Sequence, residues 1–282
     1  MNYKEVPMTT PENHDAPSGL PAPASTPKPG DSYVQSFARG LEVIRSFSAS
    51  APQQTLSEVA AHTGLTRAGA RRILLTLQTL GYVESDGKLF RLTPRILDLG
   101  FAYLSSLPLW NLAEPLMEDL VEEVRESSSA AVLDGLDIVY VLRVPTHKIM
   151  RTSLGVGSRL PAAWTSMGRV LLASLPDDEL QSRLATLPLQ RYTAHTATDL
   201  PTLLERIRQA RTQGWCLVNQ ELEEGLISIA APLTNRLGQT VAALNISGQA
   251  NRTSAELMQQ TLLPLLLRAA QTISRLMGAP RR

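Results

Sequence analysis

Residues Thr55–Val83 read TLSEVAAHTGLTRAGARRILLTLQTLGYV, and this stretch decides the architecture of the N-terminal third of the chain. Thr55 precedes a short apolar run (Leu56, Val59, Ala60) and has Glu58 three residues later, the spacing of a reciprocal capping box. Gly64 closes that helix, because glycine takes the left-handed conformation of a C-terminal turn at little cost. Thr66 caps a second helix, Arg67 to Leu80, with Ile73, Leu74, Leu77 and Leu80 as its inward stripe, and Gly81 stops it.

Working outward, Phe37, Leu41, Ile44 and Phe47 recur at helical spacing and predict a preceding helix of about four turns that ends before Pro52. On the other side, Tyr82–Ser85 and Lys88–Leu92 flank Asp86-Gly87. Such a pair between strand-like runs predicts a hairpin with positive φ at both turn positions. Thr93-Pro94 predicts a further helix, with Thr as cap and Pro at the first helical position, running to Ser106. Three helices and a hairpin make a winged helix-turn-helix, whose third helix enters the major groove of duplex DNA.

The charge pattern agrees locally and only locally. The whole chain has 27 Lys+Arg against 26 Asp+Glu, a net charge of +1, which announces no nucleic-acid partner. Within the third helix, however, stand Arg67, Arg71 and Arg72 and no acid. A solvated face is the ordinary fate of such arginines. The short helix before them, the Gly64 turn and the Asp-Gly wing argue instead for a DNA-reading face. The candidate DNA contacts are Thr66, Arg67, Ala68, Arg71 and Arg72, with Lys88 and Arg91 on the wing. Aromatic interleaving suited to single strands is absent, so double-stranded DNA is the expected partner.

Other chemistries find no support. One cysteine, Cys216, excludes a disulfide framework and a cysteine metal site, and histidines 14, 62, 147 and 195 lack ligand spacing. No nucleophile elbow, dinucleotide turn, phosphate loop or zinc-protease helix occurs, so neither catalysis nor a cofactor is expected. No run is apolar enough to predict a membrane span or a signal peptide, and a cytoplasmic location without membrane partners is the expectation. Residues 1–32 hold seven prolines among small polar residues and are expected to be a disordered tail.

Beyond residue 107 helical and strand patterns alternate. Helices are predicted at 111–127, 166–175, 200–213 and 254–276, and strands at 130–133, 138–144, 215–219, 227–233 and 240–247. This is an α+β domain with a mainly antiparallel sheet. The expected organisation is a winged helix-turn-helix domain at 33–93 (helix-turn-helix about 55–74), a connecting helix at 94–106 and an effector-binding domain at 107–282. Polar residues interrupt the apolar patterns at informative places. Ser166, Met167 and Gly168 open a helix whose amides suit a carboxylate. Ser228 sits among Ile227, Ile229 and Ala230, while Asn245 and Ser247 share one face of a strand. Trp164 and Met167 offer an apolar wall compatible with an aromatic ring. Glu221 is a further candidate, whereas Glu223 and Glu224 read as a solvated loop and Trp215 and Cys216 as core.

Taken together, SFARGLEVIRSF from Ser36, the Thr55–Val83 stretch and RLTPRILDLG resemble the DNA-binding half of IclR-family bacterial regulators. GSRLPAAWTSMGRVLLASLP, RTQGWCLVNQELEEGLISIAAPL and VAALNISG resemble the effector half, so the resemblance spans about residues 33–278. The TSMGRVLLA and QELEEGL segments are most similar to the branch that controls aromatic-acid catabolism through the β-ketoadipate pathway (Pca and Pob type regulators). The resemblance implies a GAF-like effector domain and a homodimer or dimer of dimers on a palindromic operator. It also implies a small organic or aromatic acid effector such as protocatechuate, 4-hydroxybenzoate or β-ketoadipate. For this branch it implies activation, with RNA polymerase as partner; repression in response to another acid or an aromatic efflux substrate is the alternative. Carried over residue by residue, Ser166, Met167 and Gly168 match the turn that cradles the effector carboxylate. Ser228, Asn245 and Ser247 match effector-contacting positions, with serine where the family has a cysteine at one of them.

Overall fold

The computed structural model describes residues 33–106, 109–146 and 154–280. The expected tail, residues 1–32, lies outside these. The described chain forms two compact units that divide between Asp98 and Leu99.

The first unit is built from α1 (Gln35–Ser46), β1 (Gln53–Thr55), α2 (Leu56–Thr63), α3 (Arg67–Thr79), β2 (Val83–Ser85) and β3 (Leu89–Leu92). Thr55 and Glu58 form the capping box, with the Thr55 amide donating to Glu58 Oε2 at 2.7 Å. Gly64 ends α2 at φ +64°, and Thr66 caps α3 by accepting from the Gly69 amide at 3.1 Å. Such a cap is worth about 1 kcal/mol. Val43, Val59, Ala60, Ala70, Leu74, Leu77 and Val83 make the core.

Four details depart from the sequence reading. Val43, which the spacing did not select, is the fully buried residue of α1, with the selected Ile44 and Phe47 packed beside this core; Phe37 and Leu41 are exposed. Likewise Leu80 lies at the helix end and is exposed, while the small Ala70 takes an inward position. The wing turn has positive φ only at Gly87. Asp86 stays out of that region because its carboxylate accepts from the amides of Lys88 and Leu89, closing the loop through its side chain. Finally, Thr93 does not cap: its hydroxyl donates to the Gly81 carbonyl, and Pro94–Ile96 forms a 3-10 turn before α4 (Leu97–Ser106). One short polar strand, β1, went unpredicted and pairs with β3 to give a three-stranded sheet of order β1-β3-β2.

The second unit is a three-layer sandwich around an antiparallel sheet. Its elements are α5 (Leu109–Val124), β4 (Ser127–Asp134), β5 (Asp137–Val144), β6 (Arg159–Pro161), α6 (Ser166–Leu172), α7 (Asp177–Ala185), α8 (Leu200–Gln213), β7 (Cys216–Asn219), β8 (Leu226–Thr234), β9 (Thr240–Gln249), α9 (Ala255–Leu257) and α10 (Leu263–Leu276). The strands run in the order β6-β5-β4-β9-β8-β7. The sequence reading missed β6, three residues ending in Pro161 at the sheet edge, and α7, whose first turn is all acidic. Helix α6 stops at Leu172, short of the expected Leu175, and the terminal helix is interrupted by a π turn at Met258–Leu262. Pro264, which has no amide hydrogen, follows that turn and accounts for the shifted bonding.

The two faces of the sheet differ in composition. Ile227, Ile229, Leu233, Leu244 and Ile246 point to one side and pack with Met117 of α5 and Leu266 and Ile273 of α10. The alternate residues, including Ala230 and Ala243, point to the other side with α6 and α8. Ser228, Asn245 and Ser247 alternate in the same way. Small and polar side chains on that face leave room for a cavity beneath α6.

Candidate functional site

On the first unit, α3 presents Thr66, Arg67, Ala68, Arg71 and Arg72 to solvent, all exposed. The buried residues Ala70, Leu74 and Leu77 hold the opposite side of the helix. With no acid in its first turn, the positive end of the helix and its free amides are unneutralised. On the wing, Lys88 is exposed at the tip. Arg91 instead pairs across the strands with Glu84, Nε to Oε1 at 2.6 Å, both more than half exposed. An exposed pair of this kind is worth little and is readily exchanged for a phosphate.

On the second unit, one enclosed space lies between α6, the β7–β8 region and the cavity face of the sheet. Its lining includes Trp164, Ser166, Met167, Glu221, Ser228, Asn245 and Ser247, seven of the eight residues selected from the sequence. Gly168 is the exception. Its amide donates to Thr165 Oγ1 at 3.0 Å, and a Cβ there would overlap the carbonyl of Ala162. Glycine is required at that position for close packing, and the N–H groups left over by the turn are those of Ser166 and Met167.

Thr165, not Ser166, is therefore the helix cap. That frees the Ser166 hydroxyl, which lies 2.9 Å from the Ser228 hydroxyl inside the cavity. Asn245 Oδ1 accepts from the Ser129 amide at 2.9 Å, fixing the side chain so that its Nδ2 is left for the cavity. Next to it in register, Ser129 Oγ is buried without a partner among the described residues. Trp164 is locked by a bond from Nε1 to the Ala197 carbonyl at 2.9 Å and by an edge contact with Tyr192.

Among the lining residues that escaped the sequence reading are the polar Tyr140, Arg143 and Thr165, and Glu223, expected in a solvated loop, lies exposed at the cavity's rim. Burial pushes the Tyr140 phenol up to about 12, so it is a neutral hydroxyl donor at ordinary pH. No carboxylate among the described residues pairs with Arg143. For Tyr140 and Arg143 the signal was the placement of two polar-ended side chains among the apolar residues of DIVYVLRV.

Glu221 has a more defined role than the sequence suggested. Arg169, in the middle of the apolar helix α6 and 1% exposed, donates Nη1 to Glu221 Oε1 at 2.7 Å and Nη2 to Oε2 at 2.6 Å. Arg206 adds a contact from Nη1 to Oε2 at 2.6 Å. The Glu221 carboxylate is thus more than neutralised, and with Arg143 the three arginines outnumber Glu221 and the exposed Glu223 around the cavity. The arrangement suits an anion with an apolar body: hydroxyl, amide and guanidinium donors on one side, Trp164 and Met167 on the other. Among the described residues no group of His, Cys, Asp and Glu has the arrangement to hold a metal ion.

Comparison with known proteins places this geometry in a family. Residues 36–87 match the IclR helix-turn-helix domain, and residues 101–275 match the bacterial transcriptional regulator IclR C-terminal domain. The chain is 42% identical over 242 residues to the Pca regulon regulatory protein of Pseudomonas putida, covering 86% of this chain and 83% of that protein. It is 53% identical, with a TM-score of 0.79, to a Rhodococcus sp. RHA1 protein of known crystal structure, covering 86% of this chain and 98% of that one. An IclR homolog from Microbacterium hydrocarbonoxydans, crystallised with 4-hydroxybenzoate, is 26% identical with a TM-score of 0.75, covering 86% and 98%. With both halves matched in order and over most of its length, the chain belongs to the IclR family of bacterial transcriptional regulators.

Proposed function

We propose that the protein is a DNA-binding transcriptional regulator of aromatic-acid catabolism that responds to a small aromatic or related carboxylate. The observation that carries the sensing part is the enclosed cluster of Ser166, Ser228, Asn245 and Ser247 beneath Trp164, with Arg143 beside it and paired to no carboxylate among the described residues. The effector's carboxylate is assigned to the Ser166 and Met167 amides and its ring to the Trp164–Met167 wall. The 42% identity to the Pca regulon regulatory protein and the 4-hydroxybenzoate complex of the Microbacterium homolog support that ligand class.

DNA recognition is assigned to Arg67, Arg71 and Arg72 in the major groove, with Thr66 and Ala68 at the same helix end and Lys88 and Arg91 at the backbone. The DNA-binding domain then spans 33–93 and the connecting helix 94–106. The reading takes the protein as a homodimer, supported by large apolar side chains left exposed on the first unit, Phe37 at 68% and Leu97 at 70%. Regulation requires that the effector have different affinity for the DNA-competent and DNA-incompetent arrangements.

The cavity has about 40 Å3 of open space. That is room for a few waters, so the effector-bound state is wider and the structure around α6 moves when ligand enters. Calorimetric titration of the full chain with protocatechuate, 4-hydroxybenzoate and β-ketoadipate tests the reading. Saturable binding of one, weakened by Ser228→Ala and Asn245→Leu, is expected. Absence of binding by all three rejects this effector class.

A further inference from the structure

A second cavity, of about 400 Å3, opens at the β7 edge of the six-stranded sheet, against about 40 Å3 for the space beneath α6. Helix α8 contributes Arg206, Gln209 and Gln213 to it, β7 contributes Asn219, and the π turn contributes Gln259. His195, Trp215 and the buried Arg169 also line it. Its volume is that of a metabolite site.

The donors in this cavity outnumber the acceptors and most are uncommitted. Arg206 is 38% exposed and uses only Nη1 on Glu221; among the described residues nothing engages its Nη2 or Nε. The carboxamides of Gln209, Asn219 and Gln259 and the His195 ring likewise have no partner among the described residues. Glu221 is the lone acid of the lining, and two guanidiniums already surround it. Two arginines against one carboxylate leave a net positive wall, and an anion with several acceptor oxygens completes it.

We propose that this outer cavity is a second ligand site, for a small oxyanion (a carboxylate or a phosphate) held by Arg206 and the surrounding carboxamides. Glu221 lines both cavities, so an anion that competes with it for Arg206 alters the wall of the inner one. This link, unlike the site itself, rests on reading the inner cavity as the effector site. Coupling of this kind is reciprocal: whatever factor the outer anion applies to effector affinity, the effector applies to the anion.

The test is calorimetric titration of the full chain, without effector, using succinate in one arm and inorganic phosphate in the other. Saturable binding in either arm with a Kd of about 1 mM or tighter is expected, and the arm that binds identifies the source. Arg206→Gln removes the cationic donor and Gln259→Trp fills the space from the helix side. Each should weaken binding about tenfold or more, with circular dichroism melting reporting that the chain is folded. No saturable binding of either anion, or binding unchanged in both variants, overturns the site. Effector titration with the outer site filled then tests the link, which fails if effector affinity does not change.

Discussion

Arg169 and Glu221, 52 residues apart in sequence, form a bidentate ion pair with 1% and 7% of their side chains exposed. The pair is completed by the bond from Arg169 Nε to the Ala163 carbonyl at 2.8 Å, so it ties α6, the turn before it and the β7–β8 connection together. Removing one member strands a buried charge. Arg169→Ala is expected to cost about 3–5 kcal/mol, at the lower end because Arg206 remains on Glu221. Urea denaturation measures this. Arg169→Met combined with Glu221→Leu should lose less than Arg169→Ala alone, since it leaves no unpaired charge. A single-variant loss of under about 1 kcal/mol, the worth of an exposed pair, would contradict the burial.

Gly168 and Gly40 predict opposite responses to alanine. At Gly168 a methyl group collides with the Ala162 backbone, which cannot move without displacing the turn that leads into α6. Gly168→Ala should therefore abolish effector binding and lower stability by several times the typical mutational loss of about 1 kcal/mol. Gly40, inside α1, has nothing within 4 Å of its would-be Cβ. There the substitution should stabilise by about 0.5–1 kcal/mol through helix propensity. Thermal unfolding of the two variants side by side checks both signs.

Arg67→Ala and Arg71→Ala should each weaken binding to a duplex selected from a random pool by the wild-type protein. A residue reading a base edge costs about 1–3 kcal/mol and relaxes preference at one position. One on a phosphate lowers affinity across sequences and reduces the salt slope by about one unit. Arg91→Ala, already paired with Glu84, should have the smaller effect. Affinity unchanged in both α3 variants would remove that helix from the interface.

Cys216 is the single cysteine and therefore a clean reporter. Burial pushes its thiol up from 9.0 to about 11, so the folded chain holds almost no thiolate at pH 8. Cys216 borders the outer cavity but is only 4% exposed, so the disulfide reagent DTNB should react with it far more slowly in the native chain than in denaturant. The raised value also sets a sign. The stability linked to this thiol is fully present below pH 9.0 and declines as pH rises toward about 11, where the unfolded chain has released a proton that the folded chain retains. Labelling of native protein as fast as in denaturant would contradict this burial.

The DNA-binding half was legible because its determinants are local. Thr55 with Glu58, Gly64, Thr66 and the arginines of α3 act within a turn or two of themselves, so spacing alone specified them. Its errors came where local signals met a tertiary competitor. Thr93 prefers the Gly81 carbonyl to a cap, and Phe37 and Leu41 leave the core to Val43, whereas at Asp86 the competitor was itself local, its side chain closing the loop. Alternation likewise marked the residues on the cavity face, since Ser228, Asn245 and Ser247 stand out in apolar strands.

What the amino-acid sequence determined by itself was the order of the main elements apart from β1, β6 and α7, the arginine-bearing helix α3, and the polar residues of the cavity face. Tertiary structure alone decided which of those residues meet. It made Thr165 the cap of α6 and so left the Ser166 hydroxyl to the cavity, made Gly168 a packing residue, and brought Tyr140 and Arg143 to the cavity. It also turned Glu221 from a lone acid into the shared partner of Arg169 and Arg206. The physical reason is range. Caps and turns are satisfied by neighbours in the chain, whereas a buried charge is satisfied only by what the fold carries to it across tens of residues.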